Sequence, residues 1–320
     1  MLVDGKKIAE EMLAGVAEEV KKLPEQPQLA AILVTPERPE CFEVEPPNIP
    51  KNPEVQPRDS LEVEPLSGSL SGLRKFLELK KKAAEKVGID FRVYEFPADI
   101  TTQKLRKEVV KIAKAGVNHG VLVELPLPAH INTQYVLNSI PTEKDVDVLS
   151  EKSQGAFFVN RSEILPPAVE AVKQIFKHFD ISIPSKACAV FGYGLLIGKP
   201  IAHWLAQQGA TVSIINEFTP APVASRQSLA ADIIITGVGK PNLVTANMVK
   251  EGVVAIDFGF SVQLEARNQK LETGKMVGDI SFDEVVPKAS LITPVPGGIG
   301  PIVIAAVLKN LATLMKTRKK

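Results

Sequence analysis

Cysteine is nearly missing from this chain. Only Cys41 and Cys188 occur, far apart and at no metal-ligand or CxxC spacing. That excludes a thiol-rich metal site and a dithiol redox pair, and a chain of 320 residues needs no disulfide scaffold. An excess of charge is missing too: 38 basic against 37 acidic residues leave +1, which gives no reason to expect nucleic acid or a membrane surface as partner. The N-terminal stretch "MLVDGKKIAEEMLAG" lacks the apolar core of a signal peptide, and no segment is expected to span a membrane. The expected compartment is therefore the reducing cytoplasm. The four histidines form no metal-ligand pattern and no Ser/His/Asp motif is recognisable, so no metal is expected and hydrolysis by a nucleophilic serine lacks support.

What remains is an ordinary globular composition, 45% hydrophobic and 23% charged, long enough for two domains that each bury a core and suited to a small-molecule partner. Ile8, Met12, Leu13, Val16 and Val20 fall on one helical stripe between residues 6 and 23, and "QLAAILV" (28 to 34) reads as a buried strand. The chain has 25 prolines, and eight of them lie between Thr35 and Leu66, which rules out helix or central strand there and predicts an exposed insertion over 35–70. Regularity returns with a basic amphipathic helix (73 to 89), the strand "DFRVYEF", a helix over 102–114 and a strand in "HGVLVELPLP" (119 to 128). After a loop-like stretch to Pro167, a helix over 168–178 leads into "KACAVFGYGLLIGKPIAHWLAQQGATVSIINEFT", a βαβ unit, followed by strands in "ADIIITGVG" and "GVVAIDFGF". Alternating strand and helix predicts parallel α/β sheets.

Within the βαβ unit, Gly192, Gly194 and Gly198 lie between strand and helix, where backbone amides can approach a pyrophosphate at a helix N-terminus. The third glycine is one place later than in GxGxxG, so the pattern alone is weak and a tight strand-to-helix turn would also explain it. Glu217, at the end of the next strand, can accept hydrogen bonds from ribose hydroxyls and repel an added phosphate, which favours NAD over NADP; a solvated loop glutamate is the plain alternative. Lys80 to Lys82, taken by composition, are a solvated helix face.

Six stretches occur in one order: "ELPLP", "EKDVD", "GKPIAHWLAQQGATV", "ADIIITGVGKPNLVT", "VGDISFDEV" and "ITPVPGGIGP". Together they resemble the methylenetetrahydrofolate dehydrogenase/cyclohydrolase family over nearly the whole chain. The resemblance implies two α/β domains around a cleft: residues 1–147 for a tetrahydrofolate derivative, a Rossmann-like domain over 148–295 for NAD(P), and a loop and helix over 296–320 returning to the first domain. It implies oxidation of methylenetetrahydrofolate to the methenyl form with hydride transfer to a nicotinamide, followed by hydrolysis to formyltetrahydrofolate. It assigns catalysis to Lys80, Glu124 and Asp147, and substrate contact to Phe76, Val123, Leu125 and the loop Pro296, Gly297, Gly298, Ile299 and Gly300. Nucleotide contacts fall on Gly192, Tyr193, Gly194, Gly198, Glu217, Gly237, Gly239 and Phe260.

Departures from the family pattern cluster on the folate side. The S-x-x-Y-x-x-x-K helix reads Leu73, Phe76 and Lys80, so the tyrosine hydroxyl is lost. The glutamine of "VQLPLP" is Glu124, K-D-V-D-G ends in Val148, and P-C-T-P-x-G reads "PPAVEA". A carboxylate beside Lys80 favours the charged ammonium, a poor proton acceptor. In the second domain G-R-S reads "GYG" and H-S-R-T reads "NEFT", which removes the groups for a 2'-phosphate. The expectation is an NAD-preferring dehydrogenase with weak or altered cyclohydrolase activity. Two alternatives stay open: a full bifunctional enzyme in which Glu124 and Lys80 work as a pair, and a non-catalytic folate- or nucleotide-binding relative acting through partners. Residues 253 to 280 also read as two strands joined by the polar turn "EARNQKLETG", either a homodimer arm or a hairpin packed on its own domain.

Overall fold

The computed structural model describes residues 1–35, 70–267 and 270–317. The Pro-rich insertion, Cys41 and the tip of the expected hairpin lie outside the described residues.

Strands β1 (Gln28–Thr35), β2 (Asp90–Pro97) and β3 (Gly120–Val123) form a parallel sheet in the order β2-β1-β3. Every residue of β1 from Gln28 to Val34 is buried, because both faces are covered. Leu29, Ala31 and Leu33 pack toward one cluster and Ala30, Ile32 and Val34 toward another, the period-2 alternation of a strand. The first face meets helices α1 (Gly5–Val20) and α2 (Leu70–Lys86); the second meets α3 (Thr102–Lys114) and α4 (Thr133–Leu137). Helix α2 stops before Gly88, whose φ of 80° breaks the helix. Strand β3 is shorter than "HGVLVELPLP" suggests, since Pro126 and Pro128 cannot donate to a ladder.

Past α5 (Glu151–Phe158) and α6 (Pro167–His178) comes the second unit: β4 (Ala187–Phe191), α7 (Gly198–Gln207), β5 (Thr211–Ile215), α8 (Ala221–Ala230), β6 (Ile233–Thr236) and β7 (Val253–Asp257). Strands β8 (Ser261–Arg267) and β9 (Lys270–Val277) follow, then α9 (Phe282–Val285), β10 (Ala289–Ile292) and α10 (Ile299–Thr317). Its parallel sheet has the order β10-β7-β6-β4-β5, so the chain reverses direction between β4 and β6. Open sheets of this kind bind ligands at such a reversal, beyond the carboxyl ends of the strands. Strands β8 and β9 pair antiparallel with each other, as expected, and run further into the polar turn than its composition suggests.

Two findings correct the sequence reading. Each sheet keeps a private cluster on its outer face, yet the inner faces of both join one buried cluster through α1, α6, α7 and α10, so the cores are not wholly separate. Helix α10 is also long and apolar enough to cross a membrane, although most of that stretch is buried inside the protein. It packs chiefly on α1 and α6, which accounts for its apolar character without a bilayer.

Candidate active site

On α2 the residues Leu73, Leu77, Lys80 and Ala84 recur at helical spacing, Val87 follows just past its end, and all five are buried. Lys80 thus sits on the apolar stripe, and the solvated-face reading of the three lysines fails for the first of them. Its ammonium cannot stay charged there without a partner. Glu124 supplies it: Nζ donates to Oε1 at 2.6 Å, with side-chain exposures of 8% and 6%. Glu124 follows directly on β3, its amide still bonded to the Ile32 carbonyl at 2.9 Å, so the sheet fixes where the carboxylate begins. The half-buried Phe76 lies one turn before Lys80, with its ring centroid 5.1 Å from Nζ. Val123 is buried and Leu125 partly so, both against the outer cluster.

Asp147 completes this group electrostatically. Burial pushes its carboxyl up to about 7; Lys80 opposes that rise, while Glu124 and Asp145 add to it. The loop carrying Asp147 is held by two buried side chains. Asp145 is buried and accepts from the amides of Leu149 (3.1 Å) and Ser150 (2.8 Å). The buried Asn310 of α10 donates to the carbonyls of Val146 and Leu165, both at 2.8 Å. Val148, standing where the family pattern has glycine, takes a φ of 58°. A β-branched residue in the left-handed region is strained, and its burial in the core offsets that strain.

The Pro-Gly loop links β10 to α10. Gly298 approaches the start of α1 so closely that a Cβ on Gly5 would lie 1.5 Å from the Gly298 carbonyl oxygen. Gly297 has a φ of 96°, Pro296 is exposed, and Ile299 turns into the core. Residues Met1 to Val3 join the same place, the Val3 amide donating to Ile292 and the Ile292 amide to Met1.

At the reversal of the second sheet, Gly192 leaves β4 with a φ of 91°. A Cβ on Gly198 would sit 2.1 Å from the Gly192 carbonyl oxygen, so the third glycine is what lets α7 start against the turn. A helix N-terminus beside a bare turn fits a pyrophosphate, although the Lys199 amide already donates to the Gly194 carbonyl at 3.0 Å and Pro200 has no N–H to offer. Gly237 and Gly239 follow β6 on the other side of the reversal, Phe260 follows β7, and Tyr193 is exposed, with Lys199 Nζ 5.6 Å from its ring. Beyond β5, the Asn216 side chain accepts from the Phe218 amide at 3.0 Å and the Asn216 amide donates to Thr219 Oγ1 at 3.0 Å. This closed turn leaves Glu217 exposed and holds Phe218 84% exposed.

Two buried carboxylates underlie this crevice, and neither was singled out from sequence. Asp257 accepts from Thr236 Oγ1 (2.8 Å), from the amides of Gly259 (2.7 Å) and Asp279 (3.2 Å), and through its other oxygen from Ile280 (2.9 Å). Burial pushes it up to about 6 against those hydrogen bonds. Asp279 accepts from the Val238 amide at 2.7 Å. Burial raises its pKa too, while the Val238, Gly239 and Lys240 amides lower it. The only textual hint was the stretch "VGDI", quoted for its resemblance. Asp145 and Asn310 were missed likewise, because their partners are set by the fold. Among the described residues no cluster suited to a metal ion occurs.

Comparison with known proteins agrees with both halves of this geometry. Residues 66–147 match the family model described as tetrahydrofolate dehydrogenase/cyclohydrolase, catalytic domain, and residues 166–319 match that of the NAD(P)-binding domain. The bifunctional protein FolD of Nautilia profundicola is 39% identical over 77% of this chain and 83% of its own length. The crystal structure of the bifunctional FolD of Campylobacter jejuni superposes with a TM-score of 0.81 at 32% identity over 99% of each chain. That of the Trypanosoma brucei FolD, solved with NADP and an inhibitor, gives 0.82 at 28% identity over 100% of this chain and 98% of its own.

Proposed function

The chain belongs to the tetrahydrofolate dehydrogenase/cyclohydrolase family, and from that premise we propose how its residues divide the work. It is a methylenetetrahydrofolate dehydrogenase/cyclohydrolase of one-carbon metabolism, taking a folate substrate and a nicotinamide cofactor. When bound, the nicotinamide supplies the hydride acceptor. The chain's own part is to hold the substrate methylene in line with it, which needs alignment more than a strong acid or base.

The observation that carries the finer reading is the 2.6 Å Lys80–Glu124 pair. A buried ammonium held by a carboxylate orients and polarises substrate but is a poor acceptor of the proton that hydrolysis must move. Phe76 offers a flat ring to the pterin or aminobenzoyl group and no hydroxyl. Asp147 contacts the pterin, and Val123, Leu125 and the 296–300 loop line the cleft. In this reading hydride transfer survives the substitutions, while methenyl hydrolysis is slow or altered. Gly192, Tyr193, Gly194, Gly198, Gly237, Gly239 and Phe260 hold the dinucleotide. Glu217 accepts from the ribose hydroxyls, which makes NAD the preferred cofactor. Residues 1–147 form the folate domain and 148–295 the nucleotide domain, with 296–320 returning to the first. The enzyme works in the cytoplasm as a homodimer, with the β8–β9 hairpin as the dimer arm.

The test is absorbance of the purified protein with methylenetetrahydrofolate and NAD or NADP, recorded before and after an acid quench. Methenyl product accumulating with reduced NAD, at a lower KM than for NADP, is expected. Equal use of NADP would remove the cofactor assignment, and reduced NAD without methenyl product would remove slow hydrolysis.

Asp147 favours a second reading. A carboxyl near 7 is part protonated at neutral pH and suited to relay a proton, which would make the chain fully bifunctional. Hydrolysis rates of wild type, Asp147→Asn, Glu124→Gln and Lys80→Met separate the two: if none of the substitutions slows hydrolysis, full bifunctionality through Asp147 and the Lys80–Glu124 pair is excluded.

A further inference from the structure

Asp279 supports two segments at once, both of which the reading above assigns to the dinucleotide. Its Oδ2 accepts from the Val238 amide at 2.7 Å, and the neighbouring Gly239 and Lys240 amides favour its charged form. Gly239 has a φ of 70°, which turns the chain around this carboxylate just after the bonded amide. The second segment is Gly259–Phe260. A Cβ on Gly259 would lie 2.3 Å from both Cγ and Oδ1 of Asp279, so the backbone there lies directly on the carboxylate.

Asp279 itself cannot shift. Its amide donates to Asp257 and its carbonyl accepts from the Val244 amide at 3.0 Å, so the residue is clamped from both sides. The side chain is 0% exposed, and Oδ1 has no hydrogen-bond partner among the described residues. A buried oxygen without a partner is costly and is tolerated where the rest of the group is held for another purpose. Here that purpose is the height of two backbone segments above the strand ends.

We propose that Asp279 is a positioning residue for the dinucleotide: its carboxylate fixes the 238–240 turn, through the Val238 amide, and the Gly259–Phe260 backbone in the places from which they contact the cofactor. It touches no ligand itself. The inference rests on the assignment of these two segments to the cofactor, and its test is chosen to fail separately from that assignment.

Asp279→Ala removes the shared acceptor. Dinucleotide Kd, read by fluorescence titration, should rise about tenfold, with the KM for folate within about twofold of wild type. Asp279→Asn keeps an acceptor oxygen and should recover most of the loss, which a mere packing role would not require. Hydrogen exchange of the wild type needs no variant to fold: before any dinucleotide is added, the Val238 amide should be protected like those of β6. Free exchange there, or an unchanged dinucleotide Kd in Asp279→Ala, would overturn the inference. A wild type that binds no dinucleotide would overturn the assignment beneath it, whatever the exchange result.

Discussion

The two halves of the active site are built from opposite materials. Around Lys80 the structure relies on side chains whose charges answer one another: an ammonium on an apolar stripe, a carboxylate 2.6 Å away, and a second carboxyl pushed up to about 7 beside them. Around the second sheet's reversal it relies on missing side chains, since Gly192 and Gly198 meet with no room for a Cβ. A network of side chains tolerates a new charge where an opposite one answers it, so a carboxylate at Glu124 beside Lys80, and a ring without hydroxyl at Phe76, change the chemistry but not the fold. A backbone contact has no such freedom. The departures from the family pattern accordingly gather where compensation is possible, and in the nucleotide half they fall on exposed positions such as Phe218.

The sharpest way to break this contrast is Lys80→Met, which strands Glu124 in the core. It should cost roughly 3–5 kcal/mol in urea unfolding, and a loss under ~1 kcal/mol would mean that the pair is not the anchor of its half. Next, Gly198→Ala puts a methyl 2.1 Å from the Gly192 carbonyl oxygen. It should cost about 1–3 kcal/mol and weaken dinucleotide binding while leaving folate binding alone; an equal effect on both ligands would argue that the halves are not independent.

Asp147→Asn acts through pH. A carboxyl raised from 3.8 to about 7 in the native state keeps its proton there longer than in the unfolded chain. The wild type therefore loses stability as pH rises through that window and regains it as pH falls. The variant's melting temperature should hold flatter than wild type from pH 4 to pH 7, and parallel curves would refute the raised value. Smallest is Val148→Gly. Relief of about 1–2 kcal/mol of backbone strain opposes the loss of a buried side chain and the added freedom of glycine, for a net destabilisation near 1 kcal/mol by thermal unfolding.

Residues whose type is fixed by local geometry were legible in the sequence. Gly192 and Gly198 announced a turn into a helix, Gly88 the end of α2, and the alternation of strand and helix the parallel sheets. Lys80 and Glu124 were readable as neighbours only because a family pattern aligned them; by composition Lys80 belonged to a solvated face. What stayed hidden depends on partners far along the chain. Asn310 reaches Val146 across 164 residues, and Asp279 answers an amide 41 positions earlier. A lone Asn in an apolar helix, or an Asp between glycine and isoleucine, carries no trace of such a partner. The left-handed φ of Val148 was equally invisible, since valine is among the last residues a positive φ would suggest.

Helix α10 leaves the last strand of the second sheet and lies against α1, the first helix of the chain. Its contact with α1 joins residues 5–20 to residues 299–317, a separation close to the full length of the chain. During synthesis, then, the stripe of Ile8, Leu13 and Val16 is not fully covered until residues 299–317 have been made. Contacts of such sequence separation form slowly, because a long loop must close before they return anything. The first sheet can pair its strands early, but its inner face closes only once α10 has been made, so the part of the core begun first is completed late.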